Sequence, residues 1–121
     1  MKETVSLEKV LGVEFKNPDL LRLAFIHSSY LNEEPKAVPE SNERLEYLGD
    51  ALLGLVVADE LYRRYPDQAE GELTQMRAAL VRGSALATLA KSLGLGEHLI
   101  LGKGEESTGG RDRPAELPLP R

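Results

Sequence analysis

Apolar and polar positions recur with helical spacing along most of the chain. In "SLEKVLG", Leu7, Val10 and Leu11 fall three and four apart between Ser6, suited to cap a helix, and Gly12, suited to end one. A short first helix is expected there. "KNPDLLRLAFIHSSYL" opens with a cap, Asn17, and a first-turn proline, Pro18. Leu20, Leu21, Leu23, Ala24 and Phe25 then form a second helix with a break near Ser28 and Ser29. Residues 32–40 carry two prolines among charges and read as a surface loop. From Asn42 to about Tyr65 no proline interrupts an apolar recurrence of three and four, and Pro66 then stops it, which predicts the longest helix. "ELTQMRAALVRGSALATLAKSLGLG" gives two helical stretches hinged near Gly83, the second capped by Ser84 and ended by Gly94. The closing "GKGEESTGGRDRPAELPLPR" holds four glycines and three prolines and predicts a loop that does not return to regular structure. With no strand pattern, repeat or second domain, the fold class is all-α.

The long helix carries an oddity. At 100° per residue, Glu43, Glu46 and Asp50 of "SNERLEYLGDALLG" share an arc of roughly 60°. Leu45, Leu48, Leu52, Leu55 and Val56 fill an arc of roughly 100° nearly opposite, which is the stripe expected to face the core. The acids then look outward or into a cleft. Carboxylates at this spacing repel by only a few tenths of a kcal/mol, and a helix N-terminus favours acids by about 0.3–1 kcal/mol. That account suffices for Glu43 after a cap at Ser41 or Asn42, and for Glu46 it is evenly matched with a metal-binding role. Asp50 lies beyond the first turn, where aspartate is a poor helix former. Gly49 and Gly54 each cost roughly 1 kcal/mol relative to alanine, which suits close helix approach either within one chain or across a symmetric dimer.

Composition narrows the class. The 121 residues are enough for one small domain with a real core; 41% are hydrophobic and 29% charged, as in ordinary soluble proteins. No cysteine is present, so disulfides and thiolate metal sites are excluded and a reducing, cytoplasmic setting fits. No signal peptide or membrane-length apolar run appears. A net charge of -5 argues against binding nucleic acid by electrostatics alone.

"NERLEYLGDALL" resembles the signature helix of the ribonuclease III family, and the resemblance extends through "LLRLAFIHSSY", "EGELTQMRAALVRGSALATLAKSLGLG" and "LGKGEESTGGR", from Leu7 to about Arg113. The resemblance implies an all-helical endonuclease domain that dimerises through its signature helices and cleaves double-stranded RNA with Mg²⁺, Mn²⁺ being a possible substitute. By position, Glu46 is implied as a metal ligand, Asp50 as the catalytic carboxylate of the same site, and Glu43 as a supporting or interface acid. Tyr47, where the family has Phe, is implied to lodge in the partner subunit, with Gly49 beside it at the dimer seam, and its hydroxyl needs a partner. Glu70 matches an acidic position implied to lie near RNA; a solvated loop acid accounts for it equally well. Mg²⁺ is commonly held by one or two carboxylates with phosphate and water, so Glu46 and Asp50 one turn apart form a reasonable half-site.

Other polar residues weigh less. His27 and His98 sit in no ligand-like cluster, and His27 is expected to make a structural hydrogen bond. Arg77 and Arg82 can reach phosphates or pair with surface acids, ion pairs being favoured. Gly104, Gly109 and Gly110 let backbone approach RNA or simply shape a surface loop.

The family's second acidic pair, an Asp and a Glu three apart on a later helix, has no counterpart. Leu119 falls near the Asp position, the chain ends at Arg121, and Pro114, Pro118 and Pro120 preclude a helix. Asp112 and Glu116 are poor substitutes. The expected organisation is an incomplete endonuclease-like domain over 1–113, lacking its last helix, an irregular tail over 114–121, and no double-stranded-RNA-binding domain. A gene fragment or frame change would explain it, and low stability, dimer dependence or aggregation would follow. The family function is RNA processing by endonucleolytic hydrolysis, with the activity of this chain in question; the alternative is a non-catalytic helical dimerisation or RNA-docking module.

Overall fold

A computed structural model describes residues 2–112, except for the side chains of residues 2–5 and 112. Among the described residues, seven α-helices run in order: α1 (Lys2–Leu11), α2 (Pro18–Leu23), α3 (Ser28–Glu33), α4 (Glu43–Arg64), α5 (Glu70–Val81), α6 (Gly83–Ser92) and α7 (Lys103–Ser107). Single 3-10 turns follow α6 (Leu95–His98) and α7 (Gly110–Asp112). The described residues form no strand, only an isolated parallel bridge between Ile26 and Ile100.

Several helix ends follow from local signals. Gly12 adopts φ 71° and its N–H donates to Glu8 O at 2.8 Å, closing α1. Asn17 Oδ1 accepts from the N–H groups of Asp19 and Leu20 at 3.1 and 3.3 Å, opening α2 at Pro18. The break expected near Ser28 is real, and His27 makes the structural hydrogen bond expected of it: its Nδ1 accepts from the Ser29 N–H at 3.1 Å at the start of α3. Ser6 and Ser84 do not act as caps. Helix α1 already begins at Lys2, and the turn between α5 and α6 is made by Arg82 in extended conformation, with Gly83 and Ser84 inside the first turn of α6.

The core gathers Leu7, Leu21, Phe25, Ala90, Leu95, Leu99 and Leu101, from α1, α2 and the turn after it, and α6 and the segment after it. Helix α4 lies outside this cluster and packs chiefly on α5. Its stripe does not face the core as the sequence predicts: Leu48, Leu52, Leu55 and Val56 are 63, 59, 66 and 56% exposed, and Leu45 is half-buried. The sheltered side is instead Leu53, Val57 and Leu61, within an arc of about 80° that also holds Glu43, Glu46 and Asp50, of which only Glu46 is half-buried. A stripe rule assumes that the richest apolar face meets the chain's own core. Here the main buried cluster takes no residue from α4, which buries only Leu61, and the richest face is left outward.

The segment expected to stay irregular also folds in part. Glu33, at the end of α3, accepts from the N–H groups of Lys103 and Gly104 at 2.9 and 3.2 Å, and Ser29 Oγ accepts from Gly102 N–H at 2.8 Å. These bonds satisfy the start of α7. Arg111 then closes the far side: Nη1 lies 3.0, 3.2 and 2.7 Å from the carbonyls of Gly96, Glu97 and Leu99, and Nη2 donates to Glu106 at 3.0 Å. Residues 113–121, including Glu116 and Leu119, and the side chain of Asp112 lie outside the described residues, so the expected tail and its acids are not placed. No helix among the described residues is long and apolar enough to cross a membrane.

Candidate functional site

Helix α4 starts where three backbone segments converge. The N–H of His27 donates to Ile100 O at 3.0 Å and that of Ile100 to Phe25 O at 2.8 Å, while Asn42 N–H donates to Ile26 O at 2.8 Å. Ser41 Oγ accepts from Glu43 N–H at 3.4 Å, and Glu46 N–H makes the first intrahelical bond, to Asn42 O, at 2.8 Å. The helix then runs without proline to Arg64. Its last turn carries exposed ion pairs Arg63–Asp59 and Arg64–Glu60 at 3.0 and 2.7 Å, with the basic partners towards the negative end of the helix dipole.

Glu43, Glu46 and Asp50 are brought to one side of this helix, but in different surroundings. Glu43 and Asp50 are exposed, whereas Glu46 is half-buried on the sheltered side. Residues one turn apart on a helix lie about 5–6 Å apart at Cβ, within reach of a common cation. Among the described residues Asp50 makes no side-chain hydrogen bond or ion pair, so its carboxylate is available. The chemistry of this donor pair fits a hard divalent ion that keeps several waters, as Mg²⁺ does, to which Glu46 and Asp50 could each offer an oxygen. No group of three or more metal-capable side chains occurs among the described residues.

The other candidates lie apart from this pair. Tyr47 projects from the same turn and is 83% exposed; Gly49 is half-buried, and a Cβ added there would meet nothing within 4 Å. Close helix approach within the chain therefore does not explain Gly49. Glu70 is the first residue of α5 and exposed, and the reciprocal capping contact there belongs to Glu72, which accepts from Ala69 N–H at 2.8 Å. Arg77 and Arg82 are exposed and, contrary to expectation, form no ion pair among the described residues. His98 stacks edge-on against Phe25, with ring centroids 6.0 Å apart, which marks it as a packing residue.

Sequence reasoning missed what Asn42 does. It is the one buried polar side chain among the described residues, 6% exposed, and its Nδ2 donates to Ala24 O at 2.9 Å instead of its Oδ1 capping α4. An asparagine before a helix reads as a cap by default, so only the three-dimensional neighbourhood reveals this.

Comparison with known proteins agrees with the fold. A family model described as Ribonuclease-III-like matches residues 17–117. Ribonuclease 3 of Dehalococcoides mccartyi is 49% identical over 117 residues, covering 97% of this chain and 49% of that protein. Ribonuclease 3 of Listeria monocytogenes is also 49% identical over 117 residues, with 97% and 51% covered. The chain thus spans about half the length of the curated relatives it matches. Among solved structures, the nuclease domain of ribonuclease III from Campylobacter jejuni superposes with a TM-score of 0.85 at 41% identity, covering 98% of this chain and 76% of that one. A second structure of that domain, described as flexible in the region involved in dimer formation, gives a TM-score of 0.84 at 41% identity, covering 93% and 75%. On these matches, over nearly its whole length, the chain belongs to the ribonuclease-III-like family.

Proposed function

We propose that the chain is the catalytic part of a divalent-metal-dependent endonuclease for double-stranded RNA, working as a homodimer in the cytoplasm. The observation that carries this reading is α4 itself, which sets Glu46 and Asp50 one turn apart on one side and leaves an apolar face exposed on the other. Family membership adds the reaction class. Hydrolysis makes a P–O bond to water and breaks one in the RNA chain, and it needs no side-chain nucleophile. Mg²⁺ or Mn²⁺, when bound, supplies Lewis acidity and a lowered pKa for water. Glu46 and Asp50 hold the ion, and Glu43 adds negative charge at the edge of the pair. Glu70, at the exposed start of α5, is assigned to the RNA-proximal surface.

The second copy is assigned to the face bearing Leu48, Leu52, Leu55 and Val56, and to the exposed Tyr47 between that face and the acids. An apolar face of this kind on a helix otherwise packed on one neighbour is suited to an isologous contact. The same face favours one other reading, a helical module that dimerises or docks RNA without chemistry, because it exists independently of the acids. Incubation of a long RNA duplex with the chain and Mg²⁺ separates the two. The endonuclease reading expects cleavage that Asp50→Asn abolishes. Absence of cleavage at high enzyme concentration, with duplex binding or dimerisation indifferent to EDTA and to Asp50→Asn, would leave the docking module.

A further inference from the structure

A helix-capping asparagine normally turns its side-chain oxygen to the N–H of the second or third helical residue. Asn42 turns away. Its Nδ2 donates to Ala24 O at 2.9 Å and its backbone N–H to Ile26 O at 2.8 Å, so one residue holds two acceptors on the connection between α2 and α3. That connection is itself fixed, because Phe25 O and His27 N–H both bond Ile100. On its other side, Asn42 O accepts from Glu46 N–H at 2.8 Å. The hydrogen-bonded path therefore runs from the Ile100 bridge through Asn42 to Glu46, with Asp50 one turn beyond.

We propose that Asn42 is a positioning residue for the α4 carboxylates: its buried amide fixes the first helical turn, so that Glu46 and Asp50 stand as a pre-formed pair for a divalent cation. The inference rests on the reading of that pair as metal ligands. Without the amide, the turn is tied to the connection between α2 and α3 by the single backbone bond to Ile26, with the 3.4 Å Ser41 hydroxyl contact at its start. Such a turn frays, and the pair must then be ordered by the ion itself.

The test is titration of the whole chain with Mn²⁺ alone, together with amide hydrogen exchange at Glu46. Asn42→Ala is expected to keep the helical circular dichroism, to speed exchange at the Glu46 amide, and to weaken Mn²⁺ binding about 10-fold, the low end of the range for groups that orient metal ligands. Asn42→Asp, which sets an acceptor against Ala24 O, should weaken it further; if that variant does not fold, Asn42→Ala decides. Leu86→Ala opens a cavity in α6 and provides a destabilised control that should leave Mn²⁺ affinity unchanged. Affinity in Asn42→Ala within about twofold of wild type, or an equal loss in Leu86→Ala, overturns the positioning role. Wild-type Mn²⁺ binding that is absent, or indifferent to Asp50→Asn, overturns the metal-site reading and this inference with it.

Discussion

Substituting Leu55 by aspartate asks whether the exposed face of α4 is an interface. Leu55 is 66% exposed, and full burial of a leucine side chain is worth about 1.5–3 kcal/mol, so covering what remains contributes about 1–2 kcal/mol per copy. In a symmetric dimer the substitution removes this twice, about 2–4 kcal/mol, and desolvating the new carboxylates can only add to the loss. The expected outcome is a dimer Kd raised by at least about 30-fold, read by sedimentation velocity over a concentration series. Thr88→Asp, on an exposed position of α6, should leave the Kd unchanged. Because Leu55 contributes little to the chain's own packing, the helical circular dichroism of Leu55→Asp should also be retained. Equal Kd values for wild type and Leu55→Asp refute the assignment of this face, as does a wild-type chain that stays folded and monomeric at high concentration.

Two predictions concern the segment beyond the core. Gly102 is buried, and a Cβ placed on it would lie 2.6 Å from the backbone oxygen of Ser29, which a rotamer change cannot relieve. Gly102→Ala should therefore destabilise by about 2 kcal/mol, in the range of overpacked cores, and lower Tm by several degrees in a thermal melt; an unchanged Tm would refute the packing. Arg111→Ala removes the shared donor for the carbonyls of Gly96, Glu97 and Leu99 together with the Glu106 ion pair, and should cost about 2 kcal/mol in denaturant unfolding. Arg111→Lys should recover only part of it, since an ammonium lacks the planar fork that spans these acceptors; full recovery would show that charge alone suffices.

The parts legible in the sequence are those set within a few residues. Asn17 and Pro18 open α2, Gly12 and Gly94 end their helices with φ 71° and 69°, and Pro66 follows the end of α4, each by a local backbone constraint. The acid spacing on α4 was equally legible, because it depends only on helical geometry. Helix α7 was not, since the carboxylate that receives its first N–H groups, Glu33, lies 70 residues earlier in the chain. No composition rule connects the end of one surface helix to a glycine-rich stretch so distant.

The inverted stripe on α4 follows from the same limit, and it changes what the acids mean. A hydrophobic pattern records that a face is to be covered, not by which chain. Had Leu48, Leu52 and Leu55 met the core, Glu46 would project into solvent and its charge would need no further account than solubility. With Leu53, Val57 and Leu61 turned inward instead, Glu46 is half-buried on the side that packs, beside a buried amide that holds its turn in place. On the proposed reading, that packed side offers Glu46, together with the exposed Asp50, to a divalent cation, and the outward leucines offer the opposite face to a second copy. The proposed metal pair and the proposed dimer face would thus both follow from one rotation of the helix.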